Sequence, residues 1–338
     1  MLKNPATVSH SSLVDGHGRQ VDYLRLSITD RCDFRCTYCM AEHMTFLPRK
    51  QVLSLEELTR VSRVFVGLGV RKIRVTGGEP LIRKGVEHLL GELGLLTGLQ
   101  ELAITTNGSQ LAAQADGLRA AGVNSLNISL DSLNPARFAD ITRVGKLDKV
   151  LEGIERAVTV GFDRIRLNAV IQRGYNDDDI LPLADFALQR GIDLAFIEEM
   201  PLGQVNQAGK PLQLLTSAEA QAVIESRYSL TPLDSASLSG PARYWQVNDS
   251  DSRIGFISPH SNNFCASCNR LRVTAEGQLL LCLGNDNAIS LRDLMRAGVS
   301  DDELADQIRR ALAQKPERHV FDQPNEPQIV RFMNASGG

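Results

Sequence analysis

Residues 23–40 read YLRLSITDRCDFRCTYCM. The apolar, β-branched run Tyr23–Thr29 has strand character. Cys32, Cys36 and Cys39 follow it in the spacing C-x3-C-x2-C. The cysteines therefore sit on a loop leaving the end of a first strand. Three thiolates on one short loop can hold three corners of an iron–sulfur cube, leaving the fourth iron open to a substrate or cofactor. A zinc site takes four ligands, usually with C-x2-C pairs, and a ferredoxin-type site takes four cysteines per cluster. Both fit this spacing poorly, and buried structural cysteines do not need it.

Outward from this loop, short apolar segments alternate with helical patterns. Candidate strands lie at 22–28, 71–76, 100–105, 124–130, 163–171 and 192–198, and helices near 54–68, 84–96, 109–121, 146–160 and 177–190. Ser54 and Glu57 have capping-box spacing, and Gly69, Gly122, Gly161 and Gly191 fall where helices should stop. The alternation predicts right-handed βαβ units and a parallel sheet, an incomplete (β/α)6 TIM-type barrel. Active sites of such barrels lie at the C-terminal strand ends, where the cysteine loop is. The loop after the second strand, Thr76-Gly77-Gly78-Glu79-Pro80, has adjacent glycines that let backbone approach a ligand closely. The cysteine loop, with Tyr38 at an aromatic position before Cys39, and the GGEP loop resemble the signatures of the radical S-adenosylmethionine (SAM) enzymes. That resemblance implies a 4Fe-4S cluster on Cys32, Cys36 and Cys39. It also implies SAM chelated at the open iron and cleaved to a 5′-deoxyadenosyl radical.

Strand side chains alternate between two faces. One face carries Leu24, Leu26, Ile28, Ile73, Val75, Leu126, Ile128, Leu130, Ile165, Leu167, Ala169 and Ile171, suited to packing under helices. The other carries Arg25, Ser27, Lys72, Arg74, Thr76, Thr105, Asn107, Asn127, Ser129, Asp131, Arg164, Arg166 and Asn168. With the apolar face outward, the barrel interior is polar and arginine-rich, whereas an ordinary barrel fills its interior with branched apolar residues. Unpaired buried arginines are costly, so the pattern points to a large anionic ligand. Ion pairing at the barrel rims is the alternative.

Residues 264–284 read FCASCNRLRVTAEGQLLLCLG, a second triad of Cys265, Cys268 and Cys282. Strands over 270–275 and 278–283, with a Glu276-Gly277 turn, would form a hairpin returning Cys282 beside the other two. Three ligands again leave a metal position open, and a zinc knuckle completed by His260 is the alternative. Arg270 and Arg272 share a strand face, and guanidinium forks suit phosphate. An open metal site beside them points to a nucleotide-sized polyanion.

Together with the SAM motif and GGEP, this run resembles the GTP 3′,8-cyclase (MoaA) family of molybdenum cofactor biosynthesis, over about residues 21–338. The resemblance implies two 4Fe-4S clusters, the second on Cys265, Cys268 and Cys282 in a smaller C-terminal α+β region. It matches Tyr38, Gly78, Ser129 and Met200 to SAM contacts. It matches Arg25, Arg74, Thr105, Arg166, Arg270, Leu271 and Arg272 to GTP contacts; Arg166 stands where some relatives have lysine. It implies that the terminal Gly337 and Gly338 reach the active site and assist catalysis. The implied lyase reaction takes hydrogen from C3′ of the GTP ribose and joins that carbon to C8 of guanine. A reductant of unspecified identity is needed, and cyclic pyranopterin monophosphate synthase follows in the pathway. A peptide maturase with an auxiliary cluster, an iron–sulfur electron carrier and a zinc-stabilised binding module are the rival readings.

The remaining composition sets bounds. The 338 residues, 43% hydrophobic, suffice for a full core. A net charge of −3 argues against general nucleic-acid binding. The N-terminus lacks an apolar secretory segment, and no apolar run reaches transmembrane length, so a cytoplasmic protein without membrane partners is expected. All six cysteines are used by the two triads. The expected divisions are a mobile arm over 1–20, a barrel over 21–205 and an auxiliary-cluster region over 206–338. A homodimer is left open.

Overall fold

The computed structural model describes residues 12–200, 214–234, 240–285, 287–319 and 332–337. The chain opens with an antiparallel hairpin of β1 (Leu13–Val14) and β2 (Gln20–Val21). The arm expected over 1–20 is thus folded from residue 12 onward; residues 1–11 lie outside the described part. Leu13 and Val21 are buried in the main core. Arg19, also buried, pairs with Asp15 at 2.5 Å and donates to the carbonyls of Cys265, Pro316 and Glu317. The polar composition that reads as a mobile arm therefore includes a buried ion pair, and such charges stay buried only when paired.

Strands and helices then alternate: β3 (Tyr23–Ser27), α1 (Leu55–Gly67), β4 (Lys72–Thr76), α2 (Val86–Gly94), β5 (Glu101–Thr106), α3 (Leu111–Ala120), β6 (Ser125–Ser129), α4 (Pro135–Thr142), α5 (Leu147–Val160), β7 (Arg164–Ile171), α6 (Ile180–Leu188) and β8 (Asp193–Glu198). Ser54 and Glu57 form the capping box of α1. Gly161 closes α5 at φ +78°. The periodicity does not anticipate α4, which starts on Pro135 behind Asn134. The Asn134 side chain accepts from the amides of Ala136 and Arg137. Strands β3 to β8 lie side by side in chain order, all parallel.

The later elements are α7 (Ser217–Glu225), β9 (Leu230–Pro232), β10 (Arg243–Val247), β11 (Arg253–Ile257), β12 (Arg270–Val273), β13 (Gln278–Leu280), β14 (Ala288–Ser290), α8 (Leu291–Arg296), α9 (Asp301–Leu312) and α10 (Met333–Ser336). Their strands join the same sheet. β11 adds parallel to β8 and β12 adds parallel to β3, so the six expected strands gain a parallel neighbour on each flank. The hairpin expected at 270–283 forms as β12 and β13, with Gly277 at φ +84° in its turn. β3, β4, β6, β7, β11 and β12 all contribute side chains to one cavity, so the sheet curls round it as a TIM-like open barrel. The apolar strand faces, from Leu24 to Ile171, lie in the main core with Leu58 and Phe65 of α1 and Val150 and Ile154 of α5. The polar faces are left for the interior.

Candidate active site

The cysteine loop follows β3 and is pinned from three sides. Asp33 accepts from the Asn107 side-chain amide at 2.7 Å and from the Ser109 hydroxyl at 2.6 Å, both just past β5. The Tyr38 hydroxyl donates to Asp131 at 2.7 Å, and Asp131 also accepts from the Val170 amide at 2.8 Å. Behind the loop lies the GGEP turn. A Cβ on Gly77 would lie 2.4 Å from the Thr29 carbonyl, and one on Gly78 would lie 2.3 Å from that of Arg31. Gly78 and Glu79 donate their amides to these same carbonyls at 2.8 Å. The glycines thus let two loops touch, and these two amides are spent inside the protein. Glu79 is fully buried and accepts from Leu81, Thr106 and Asn107. Burial outweighs those hydrogen bonds and raises its carboxyl to about 7.

Cys32, Cys36 and Cys39 lie near enough that charge on one disfavours charge on another, but burial is the main influence. It pushes the Cys32 and Cys39 thiols up to about 12 and Cys36 well above its ordinary value. Two backbone amides oppose this, Phe34 donating to Cys32 and Asn334 to Cys39.

The cavity inside the barrel is lined by Arg25, Arg74, Arg166, Arg270, Arg272 and Lys315, with Asn127 and Asn168 between them. No Asp or Glu is among the described residues lining it. Cys265, Cys268 and Cys282 edge the same cavity. Burial disfavours the Cys268 thiolate, but Arg270 and Lys315 more than compensate and bring the thiol down to about 7. Arg270 also lies over the Phe264 ring, 5.1 Å from its centroid. Thr105 Oγ1, Arg166 Nε and Asn168 Oδ1 are buried and have no hydrogen-bond partner among the described residues. Buried polar atoms are normally satisfied, so these three mark places for a polar ligand.

The C-terminus enters this space. Gly337, at φ +78°, accepts from Arg272 at 2.5 Å through its carbonyl. Asn334 donates its side-chain amide to the Asp30 carbonyl at 2.9 Å. The tail therefore touches both the cysteine loop and the arginine cluster. Gly338 lies outside the described residues.

Comparison with known proteins bears on this arrangement. Residues 26–187 match the model of the Radical SAM superfamily, and residues 192–321 match Molybdenum Cofactor Synthesis C. GTP 3′,8-cyclase 2 of Pseudomonas aeruginosa is 58% identical over 332 residues, covering 98% of this chain and 100% of the relative. The chain belongs to the GTP 3′,8-cyclase family. GTP 3′,8-cyclases of Ectopseudomonas mendocina and Marinobacter nauticus are 57% and 54% identical; these alignments cover 97% and 96% of this chain and 99% and 98% of those proteins. Among solved structures, Streptococcus suis SuiB bound to S-adenosylmethionine has a TM-score of 0.63 at 17% identity. It covers 94% of this chain and 77% of that one, a likeness of fold.

Membership in the radical SAM superfamily brings SAM and an iron–sulfur cluster, and the first triad suits the cluster. Among the described residues, no three His, Cys, Asp or Glu side chains converge closely enough to hold one metal ion. His260, the alternative fourth zinc ligand, has its Nε2 2.9 Å from the Glu199 carbonyl.

The structure gathers most of the residues that the family resemblance singles out. Arg25, Arg74, Arg166, Arg270, Arg272 and Met200 line the cavity. Thr105 is in register with Asn127, and Ser129 with Asn168. Leu271 differs: strand alternation turns its side chain into the apolar core between the two arginines, leaving only its backbone near the site. Sequence reading missed Lys315, whose ammonium holds the carbonyls of Arg270 and Leu281. It also missed Tyr23 and Tyr244, whose phenol oxygens accept from Arg74 and Arg166. Tyr23 does alternate with Arg25 on the polar face of β3, a signal that was available.

Proposed function

We propose that this chain is a GTP 3′,8-cyclase. It would convert GTP to (8S)-3′,8-cyclo-7,8-dihydroguanosine 5′-triphosphate, the first step of molybdenum cofactor biosynthesis. One observation carries the reading: an interior lined by six cations and no carboxylate among the described residues, with a cysteine triad at its edge. Such a space is electrostatically complementary to a nucleoside triphosphate.

Cys32, Cys36 and Cys39 would hold the first cluster, which with SAM would supply a 5′-deoxyadenosyl radical able to take the ribose C3′ hydrogen. The protein's task is placement, because such a radical is unselective unless one C–H is held nearest. In this reading Arg25, Arg74, Arg166, Arg270 and Arg272 hold the triphosphate. Thr105, Ser129, Asn168 and Met200 would border the reacting groups, and Cys265, Cys268 and Cys282 would hold a second cluster on the substrate side. Gly337 would close the site from the tail side, and the same proposal gives Gly338 a share in catalysis. Tyr38, through Asp131, keeps the first cysteine loop in place. The division into a barrel over 21–205 and an auxiliary-cluster region over 206–338 belongs to the same proposal. So do a separate reductant and cyclic pyranopterin monophosphate synthase as the next enzyme.

The test uses anaerobically reconstituted protein, dithionite, SAM and GTP deuterated at C3′. Deuterium in the 5′-deoxyadenosine, read by mass spectrometry, is the expected result. Unlabelled 5′-deoxyadenosine with intact GTP would keep the radical chemistry and overturn the substrate.

A further inference from the structure

The barrel interior poses a charge problem before any substrate arrives. Six cations line it and no Asp or Glu among the described residues does so; the cysteine triad at its edge answers Arg270, Lys315 and Arg272, on the side away from Arg74. Like charges this close, away from water, repel strongly. Burial and neighbouring cations hold Arg25 down to about 10 and Arg272 well below its ordinary value.

Tyr23 stands within this group. Its side chain is 2% exposed, and its phenol oxygen accepts from Arg74 Nε at 2.7 Å. Lys72 Nζ lies 5.2 Å from its ring centroid. The groups facing it are Arg25 on its own strand, Lys72 and Arg74 on β4, and Arg270 and Arg272 on β12. Glu101 on β5 is 2.8 Å from Lys72 and answers that cation, and Asp22 faces Arg71 and Lys72. Burial by itself would raise the phenol, yet Arg74, Arg25, Lys72 and Arg270 together bring it down to about 6.

The geometry points to Tyr23 as a replaceable counter-charge, a phenolate that balances the arginines while the interior lacks a polyanion and takes up a proton when a triphosphate binds. The incoming phosphates neutralise the cations that favour the phenolate, so its proton affinity returns toward that of ordinary tyrosine. The sign follows from linkage. Binding that takes up one proton weakens as pH rises, by about tenfold per pH unit between the free and bound pKa values. Tyr23 is thus a positioning residue that holds Arg74 in both states. The inference rests on the reading of the interior as a triphosphate site.

The experiment is calorimetric titration of the reconstituted protein with inorganic triphosphate and, separately, with GTP, in two buffers of different ionisation enthalpy. At about pH 8 the γ-phosphate of GTP, an ester-type phosphate with a pKa near 6, is already ionised and adds little proton exchange of its own; inorganic triphosphate still holds part of its last proton, so its proton balance is read as the difference between wild type and Tyr23→Phe. Wild type should take up close to one proton per triphosphate bound. Tyr23→Phe keeps the ring over Lys72. It should take up none, lose the pH slope of affinity, and bind triphosphate more tightly than wild type at this pH. No uptake by wild type on binding GTP overturns the proposal whatever the variant does, and so does equal proton balance in wild type and variant with either ligand. Proton-linked binding of inorganic triphosphate without binding of GTP would sustain the proposal and overturn the GTP reading. Failure of both ligands to bind overturns both.

Discussion

Gly337 shows how narrow the tolerance at single residues is here. An added Cβ would lie 2.3 Å from Thr76 Cγ2, at a φ that L side chains rarely adopt. Gly337→Ala must therefore displace Thr76 or the tail segment that meets Arg272. Misplacement by an ångström near a reacting centre can cost about a hundredfold in rate. Cyclisation should fall by at least about tenfold on that basis, with thermal stability close to wild type. Unchanged turnover would exclude the tail from the site. Glu79 carries a different prediction. Its carboxyl stands near 7, above its unfolded value, chiefly through burial. Between the unfolded and folded pKa the native state binds more protons, so its contribution to stability is present at low pH and is lost as pH rises through about 7. Melting temperatures should show a downward component from acid to neutral pH, and Glu79→Gln should flatten it. An equally steep profile in the variant would assign that slope elsewhere.

At the level of elements, α1, α4, α7, α8 and α9 start on side-chain caps, and none of these five helices lines the cavity. α9 starts behind Ser300, which with Glu303 forms a full capping box. Ser300→Ala should cost about 1 kcal/mol in urea unfolding and leave cyclisation unchanged, a useful contrast with Gly337. The strands behave differently, because each serves two environments. On β12, Leu271 and Val273 enter the core while Arg270 and Arg272 face the cavity. That division was legible beforehand, since alternation is a local property of extended backbone. Helix α4 was not, because its short run after Asn134-Pro135 resembles a turn until Phe138 and Ile141 find the core. The role of Gly77 and Gly78 also needed the fold: contact between the GGEP turn and the cysteine loop is a tertiary fact.

For the whole molecule, the second triad offers the broadest test. Cys265 and Cys268 lie in the link between β11 and β12, strands on opposite flanks of the β3–β8 core. Cys282→Ala should halve iron and sulfide, from about eight to about four irons per chain if each triad carries a cube. It should retain SAM cleavage and lose cyclisation. Full iron content in that variant would leave the second cluster without support. The sequence alone determined the order of the six central strands and of the five helices expected between them, the polar face of each of those strands, and two thiol triads at element ends. All of these follow from periodicity, spacing and local backbone preference. Only the tertiary structure decided that the C-terminal strands extend both flanks of one sheet, that Arg19, Lys315 and the tail reach the same region, and that Tyr23 stands among the cations. These depend on which distant segments meet. Burial and charge shift a side chain's chemistry only once its neighbours are in place.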